Sequence, residues 1–258
     1  MELDFVDLGL YLKREHVLVF SDFHLGYEEA LQRKGVLIPR FQFKDTLKRL
    51  DRIFISCQKK KYKIETIIIN GDLKHEFGRI SDQEWREILK LMDFLLEHCE
   101  KLVIIQGNHD VILSPIVKKR LPTKKVFFEK WFLLDDILFA HGDVLPEKLF
   151  GNKKNGKMET DMLHKRIKTI IMGNEHPALA LQEKGRVERF KCFLKGKWKG
   201  KTLIVLPSFQ LLTTGTDILR EKLLSPYLHQ DLRNFECWIV SDEGKVFAFG
   251  KLKNIRKL

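Results

Sequence analysis

No run of about 18 apolar residues occurs in the sequence, so no segment has the length and character of a membrane-spanning helix. The opening stretch MELDFVDLGLYLKREHVLVF places acidic residues early and lacks the basic flank and sustained apolar core of a secretory signal, so a cytoplasmic location and no membrane partner are expected. No Ser/Gly/Pro-rich linker, low-complexity tract or internal repeat divides the chain, and a single domain over residues 1–258 without a cap is expected. Cys57, Cys99, Cys192 and Cys237 form no C-x-x-C pair and sit within apolar patterns, which reads as reduced core thiols. Acidic residues are outnumbered, 35 against 47 basic ones, and the formal charge of +12 points to an anionic partner, nucleic acid first.

Five short apolar runs, many of their residues β-branched, occur in HVLVFSDFHLG, TIIINGDLKH, KLVIIQGNHD, DILFAHGD and TIIMGNEHP. Each has the character of a strand covered on both faces. Each stops abruptly in Asp, His, Asn or Gly. Between the first three lie amphipathic stretches with apolar residues at Phe43, Leu47, Leu50, Phe54 and Cys57, and at Trp85, Ile88, Leu89, Met92, Leu95 and Leu96. Ser81 or Asp82 is placed to cap the second. The pattern is β-α-β-α-β, and in an open α/β sheet the loops beyond the carboxyl ends of the strands form the ligand crevice.

The break in IIMGNEHPAL, from a buried strand straight into Gly173, Asn174, Glu175, His176 and Pro177, is a turn if read alone. Five such breaks in one chain point elsewhere. They pool Asp22, His24, Asp72, His75, Asn108, His109, Asp110, His141, Asn174 and His176, a mixed oxygen and nitrogen donor set of the kind a two-metal hydrolytic site requires. A carboxylate such as Asp72 has two oxygens and the charge to bridge two divalent ions. Such a pair makes hydroxide available near neutral pH and stabilises phosphoryl oxygens during an in-line displacement.

The ordered set DFH, GDLKH, GNHD, HGD and GNEHP, from residue 22 to residue 176, resembles the signature of calcineurin-like metallophosphoesterases: D-x-H, G-D, G-N-H-D/E, a lone H, then G-H-x-H. GDLKH resembles the G-D-L-x-H form of SbcD-type nucleases. More narrowly, GDLKHEFG, GNEHPA and LPSFQLLTTGTD are similar to elements of archaeal SbcD-related phosphoesterases and of the bacterial ligase-associated endonuclease PdeM.

The resemblance implies an α/β fold, a four-layer α/β/β/α sandwich of two mixed sheets flanked by helices. It implies two divalent ions, Mn²⁺ first, with Fe²⁺, Zn²⁺ or Ni²⁺ as alternatives. One ion takes Asp22, His24, Asp72 and His176; the other takes Asp72 as bridge, Asn108, His141 and position 174. His109 matches the residue that binds the scissile phosphate or protonates the leaving oxygen. His75 occupies a position that affects that histidine or the phosphate, and Asp110 either orients His109 or caps the next segment. Asn174 stands where the family has His, which weakens the second ion or shifts it towards a harder metal.

The substrate expected from the resemblance and the charge is DNA, single-stranded or at ends, with a helicase or ligase as a possible partner protein. A small-nucleotide phosphatase or pyrophosphatase, and a one-metal relative that binds nucleic acid with little or no hydrolysis, are the alternatives. In RVERFKCFLKGKWKGK, period-two alternation sets Phe190, Cys192, Leu194 and Trp198 against a basic face that includes Arg189, Lys191 and Lys195, the candidate phosphate contacts. Its plainer reading is a solvated strand face with edge-protecting lysines. Thr216 or Asp217 is placed to cap a helix-like ILREKLL, with no substrate role assigned to that loop.

Overall fold

In a computed structural model of the chain, residues 2–119, 125–149, 163, 165–183 and 186–255 are described. All five apolar runs are strands. The first sheet is ordered β1 (Leu3–Val6), β2 (Gly9–Leu12), β3 (Val17–Phe20), β4 (Thr66–Asn70), β5 (Lys101–Ile105) and β6 (Val126–Glu129), and is parallel from β3 onward. Short helices α1 (Tyr27–Arg33) and α4 (Ser114–Val117) follow β3 and β5. Two longer crossover helices cover the outer face of the sheet. In α2 (Gln42–Lys59) the buried residues Leu50, Ile53, Phe54 and Cys57 recur at helical spacing. In α3 (Asp82–Leu96) Ile88, Leu91, Met92 and Leu95 do the same. Ser81 caps α3 as expected, in a box where its hydroxyl accepts from Glu84 N–H and the Glu84 carboxylate accepts from Ser81 N–H.

The second sheet runs β13 (Thr216–Asp217), β10 (Pro177–Glu183), β11 (Arg186–Trp198), β12 (Lys201–Val205), β9 (Thr169–Met172), β8 (Ile137–Ala140) and β7 (Trp131–Leu134). A branch of β14 (Glu236–Val240) and β15 (Val246–Lys251) pairs onto β11. It packs face to face on the first sheet through Phe139, Ile171, Phe193, Ile204 and Val240, with the Phe5 ring 4.5 Å from Phe193 and 4.8 Å from Trp238. Its alternate residues, among them Leu138, Ile170, Cys192, Leu194 and Leu203, face outward under Ile167, Tyr227, Leu228 and Leu252. This gives the four-layer α/β/β/α arrangement of two mixed sheets. Among the described residues the fourth layer is thin, built from helical residues around Leu163 and two 3₁₀ turns, Pro226–Leu228 and Leu252–Asn254.

One local expectation fails. ILREKLL is not a helix: Thr216 and Asp217 pair in parallel with β10, and the Asp217 carboxylate accepts from Leu219 N–H at 3.0 Å to turn the chain. Ile218, Leu219 and Leu223 satisfy their apolar spacing by lying over the second sheet. The four cysteines are free thiols, three buried and Cys99 half-buried.

Candidate metal centre

Parallel strands β3, β4 and β5 of one sheet and β8 and β9 of the other end at the same edge, and their terminal loops face across the seam between the sheets. The backbone is left-handed at Asp22 (φ 53), His24 (φ 45), Asp72 (φ 39), Asn174 (φ 62) and His176 (φ 50). Such a conformation costs a non-glycine residue roughly 1–2 kcal/mol, and five at one site are sustained only because two packed sheets fix both ends of each loop.

Asp22 is fully buried. Its Oδ2 accepts from Ser21 Oγ at 2.6 Å and from Asn174 N–H at 3.0 Å, and lies 3.6 Å from His176 Nε2; Oδ1 lies 3.5 Å from His141 Nδ1. Asp72 accepts from His109 N–H at Oδ1, 3.0 Å, while Oδ2 faces His141 Nε2 at 3.4 Å, His24 Nε2 at 3.7 Å and His109 Nε2 at 3.8 Å. His24 Nε2 and His176 Nε2 approach to 3.2 Å, and the Asn108 amide oxygen sits 2.9 Å from His141 Nε2.

Burial and closely opposed charges set the electrostatics of the site. Burial pushes the Asp22 carboxyl up to about 8, against the opposing pull of His141. Burial also acts to raise Asp72, but His141, His24 and His109 prevail and hold it well below the usual carboxylate range. Burial acts to lower His141, and the two carboxylates overcome it, raising the imidazole to about 10. His24 and His176 go the other way: burial, then the neighbouring His176, holds His24 well below its ordinary value, and burial, then Lys191, holds His176 down to about 3.

These residues fit divalent ions. Asp22 Oδ1, His24 Nδ1 and His141 Nδ1 are buried without a hydrogen-bond partner among the described residues, and two neutral imidazoles present their Nε2 atoms to each other beside two carboxylates. Three groups bring ligand atoms within 4.8 Å of one another: Asp22, His24 and His176; Asp22, Asp72 and His141; and His24, His75 and His109. Asp22 belongs to two of them. The expected residues come together: Asp72 Oδ2 faces both His24 and His141, and Asp22 lies against both His141 and His176. Asn174 enters through its main-chain N–H on Asp22.

The remaining residues differ more. His109 Nδ1 bonds the backbone carbonyl of His75, so the main chain of His75 orients it, while the His75 ring lies alongside at 5.5 Å. Asp110 neither orients His109 nor caps a helix. Its buried carboxylate accepts from Leu73, Lys74 and Gly107 N–H at 3.1 Å each and bolts the β4 loop to the β5 loop. Glu175 acts likewise, accepting from Leu224 and Ser225 N–H at 2.8 Å each.

The three expected phosphate contacts do not gather at the centre. Lys191 lies between the sheets with Nζ donating to Ser208 Oγ at 2.7 Å, because the first sheet covers this part of β11, while Arg189 and Lys197 on the same face stay exposed. Burial, then Arg49, lowers its pKa to about 7. The Arg189 guanidinium is engaged with the Gly215 carbonyl at 3.0 Å and Glu221 at 2.7 Å. Lys195 lines a separate basic cleft with Arg14, Lys168, Lys197 and Lys199, where β8, β9 and β12 begin.

A cleft of about 260 Å³ opens onto the centre, lined by His24, Tyr27, His75, His109, His176, Gln210 and Thr213. Gln210 and Thr213 went unassigned in the sequence. Strand β12 runs parallel to β9, Val205 beside Met172, so its carboxyl end reaches the same edge. The chain then docks by Phe209 N–H to Ser21 O, 2.7 Å, and Gln210 N–H to Asp22 O, 3.0 Å. Gln210 is 2% exposed; its Oε1 accepts from Leu212 N–H at 2.7 Å, and Nε2 has no partner among the described residues. The signal was present in TLIVLPSFQ, a sixth apolar run that ends in polar groups but carries no Asp or His.

Glycines let these loops meet. A β-carbon at Gly71 (φ 93) would fall inside the His141 imidazole, 2.6 Å from Cγ and 2.9 Å from Cε1. Gly71→Ala is expected to destabilise the fold by about 2–4 kcal/mol, the sum of an overpacked contact and a left-handed backbone at a β-carbon. Urea unfolding measures it; a loss below about 1 kcal/mol would show that the loop relaxes freely.

The calcineurin-like phosphoesterase family model matches residues 15–195. No curated protein matches by sequence. Among solved structures, the nuclease MPE of Pseudomonas putida is 19% identical, with 95% of this chain and 93% of that chain covered and a TM-score of 0.56, a likeness of fold. A single mutant of Vps29 from Entamoeba histolytica is 14% identical over 91% of this chain and 99% of that chain, TM-score 0.34. A predicted phosphoesterase of Streptococcus pneumoniae is 14% identical over 90% and 96%, TM-score 0.33. With the match spanning most of the sequence and the donor set assembled where it falls, the chain belongs to the calcineurin-like phosphoesterases and is a metal-dependent phosphoester hydrolase.

Proposed function

We propose that the protein is a phosphodiesterase that cuts DNA, single-stranded or at ends, in DNA repair or processing, with two Mn²⁺ ions as its working metals. The observation that carries this reading is the cleft: its described lining offers imidazole, phenol, hydroxyl and amide groups and no carboxylate. An anionic diester can enter such a cleft without facing uncompensated negative charge. The net charge of +12 draws a polyanion towards it, and the fold is shared with the nuclease MPE of P. putida.

In this reading Asp22, His24, Asp72 and His176 would hold one ion, and Asp72, Asn108, His141 and position 174 would hold the other. When bound, the ions supply an activated nucleophile and neutralise the phosphoryl oxygens. The protein supplies the rest. His109, its Nδ1 fixed on the His75 carbonyl, presents Nε2 to the leaving oxygen. Gln210 Nε2, the donor without a partner among the described residues, takes a non-bridging oxygen. A helicase or ligase is the proposed class of partner protein, and the cytoplasm the proposed compartment. No helix among the described residues is long and apolar enough to cross a membrane.

Cleavage of an end-labelled single-stranded oligonucleotide in Mn²⁺, against a chelator control, tests the reading. Metal-dependent cutting supports it; an intact oligonucleotide beside hydrolysed p-nitrophenyl phosphate moves the activity to small phosphoesters. Asn174→His should tighten the second ion within the roughly 10–100-fold range over which changes around a metal act, and should raise the rate with it. The left-handed backbone at Asn174 (φ 62) is one that His tolerates. Unchanged metal content and rate would remove the explanation offered for this position.

A further inference from the structure

Phe77 is 61% exposed, yet its ring centroid lies 3.6 Å from that of His109, with the planes inclined at 34°. One face of the phenyl ring covers the imidazole and the other meets water. The exposure is built in, because two buried charges brace the loop that carries it. The Glu84 carboxylate accepts from His75 N–H at 3.1 Å and Glu76 N–H at 2.8 Å. The buried Lys74 ammonium donates to the carbonyls of Glu76 and Arg79, the latter at 3.1 Å. Phe77 sits between those two carbonyls. Nearby on the chain, Val111, two residues after His109, is 69% exposed, so the His109 end of the site carries bare apolar surface beside an ionic interior.

A rigidly mounted aromatic ring with one free face, stacked on the histidine that meets the leaving oxygen, fits a flat apolar group joined to that oxygen. We propose that the outer face of Phe77 is a stacking subsite for an unpaired nucleobase, the base of the nucleoside that carries the leaving oxygen. This rests on the nuclease reading above and adds the basis of its preference for single strands. Every base offers a π face to an aromatic side chain, whereas a base within a duplex already has both faces covered. Inorganic phosphate or a phosphorylated aliphatic side chain would leave the ring wet.

The test uses two end-labelled single-stranded oligonucleotides, identical except for one tetrahydrofuran abasic residue at the leaving side of the cut. The wild-type protein should cut the abasic strand roughly tenfold less efficiently, the scale of one base–aromatic stack. In Phe77→Ala the ratio should fall to near one, and Phe77→Trp should restore it. Because each ratio is taken within one protein, loss of folded material cancels. A wild-type ratio near one, or a ratio that persists in Phe77→Ala, overturns the subsite. If neither strand is cut, the nuclease reading fails by itself. The same pair, fluorescein-labelled, then reports equilibrium binding. A base-dependent Kd ratio that is lost in Phe77→Ala keeps the subsite in a protein that binds without cutting, and equal Kd values overturn it too.

Discussion

Asp72→Ala should abolish turnover, with a loss of at least about 10³-fold, the scale on which loss of even one oxyanion donor already operates. Oδ2 of this carboxylate is the oxygen that His24, His109 and His141 all face, at 3.4–3.8 Å, so its removal takes the negative charge from the middle of three imidazoles. The same change frees His109 N–H from Oδ1. Metal content, read by elemental analysis of the purified protein, should fall together with activity. The loop itself should survive, because its link to His24 runs through the Asp72 carbonyl at 2.9 Å and its link to β5 through Asp110. Asp72→Asn separates charge from shape: it keeps an acceptor for His109 N–H and should be nearly as inactive. An Asp72→Ala protein that retains its metal and its rate would place the chemistry elsewhere.

His109→Ala should lower kcat by about 10²–10⁴, the range typical of a positioned proton donor, while leaving bound metal nearly unchanged. The reasoning is geometric. Nδ1 is committed to the His75 carbonyl, so Nε2 is the only ring atom free for substrate, and it lies on the cleft beside Asp72. Burial lowers the pKa of this imidazole, with the Asp72 charge opposing, so a proton placed on Nε2 is weakly held. His109 also forms a possible ligand group with His24 and His75. The metal measurement decides between the roles: unchanged metal with a slow rate identifies a proton donor or phosphate contact, whereas loss of an ion identifies a ligand.

The strands and helices that position the centre were legible because local patterns encode them. Buried runs such as TIIIN and KLVII read as strands covered on both faces, and the Ser81 to Glu84 capping box marks the start of α3. The gathering of the Asp, His and Asn side chains at the centre was legible for a related reason: each follows closely on a strand, and parallel strands deliver their carboxyl ends to one edge. ILREKLL misled because helical apolar spacing also suits a segment laid flat on a sheet.

By itself the sequence determined which residue types arrive at the carboxyl edge and in what order, since strand direction and chain order fix both. The tertiary structure decided what each then touches. Lys191 alternates correctly on β11, but alternation says nothing about what covers a face, and the first sheet buries it on Ser208. Asp110, read in one dimension as an orienter of His109 or a cap, and Glu175, which had no assigned role, hold neighbouring loops together through backbone N–H groups. Gln210 and Phe77 carry no metal-site signature, and only the docking of β12 beside β9 and the bracing of the 75–79 loop by Lys74 and Glu84 bring them to the cleft and to His109. Patterns of period two and 3.6 record local geometry, whereas contacts across the seam between two sheets depend on chain segments more than a hundred residues apart, as His24 and His176 are.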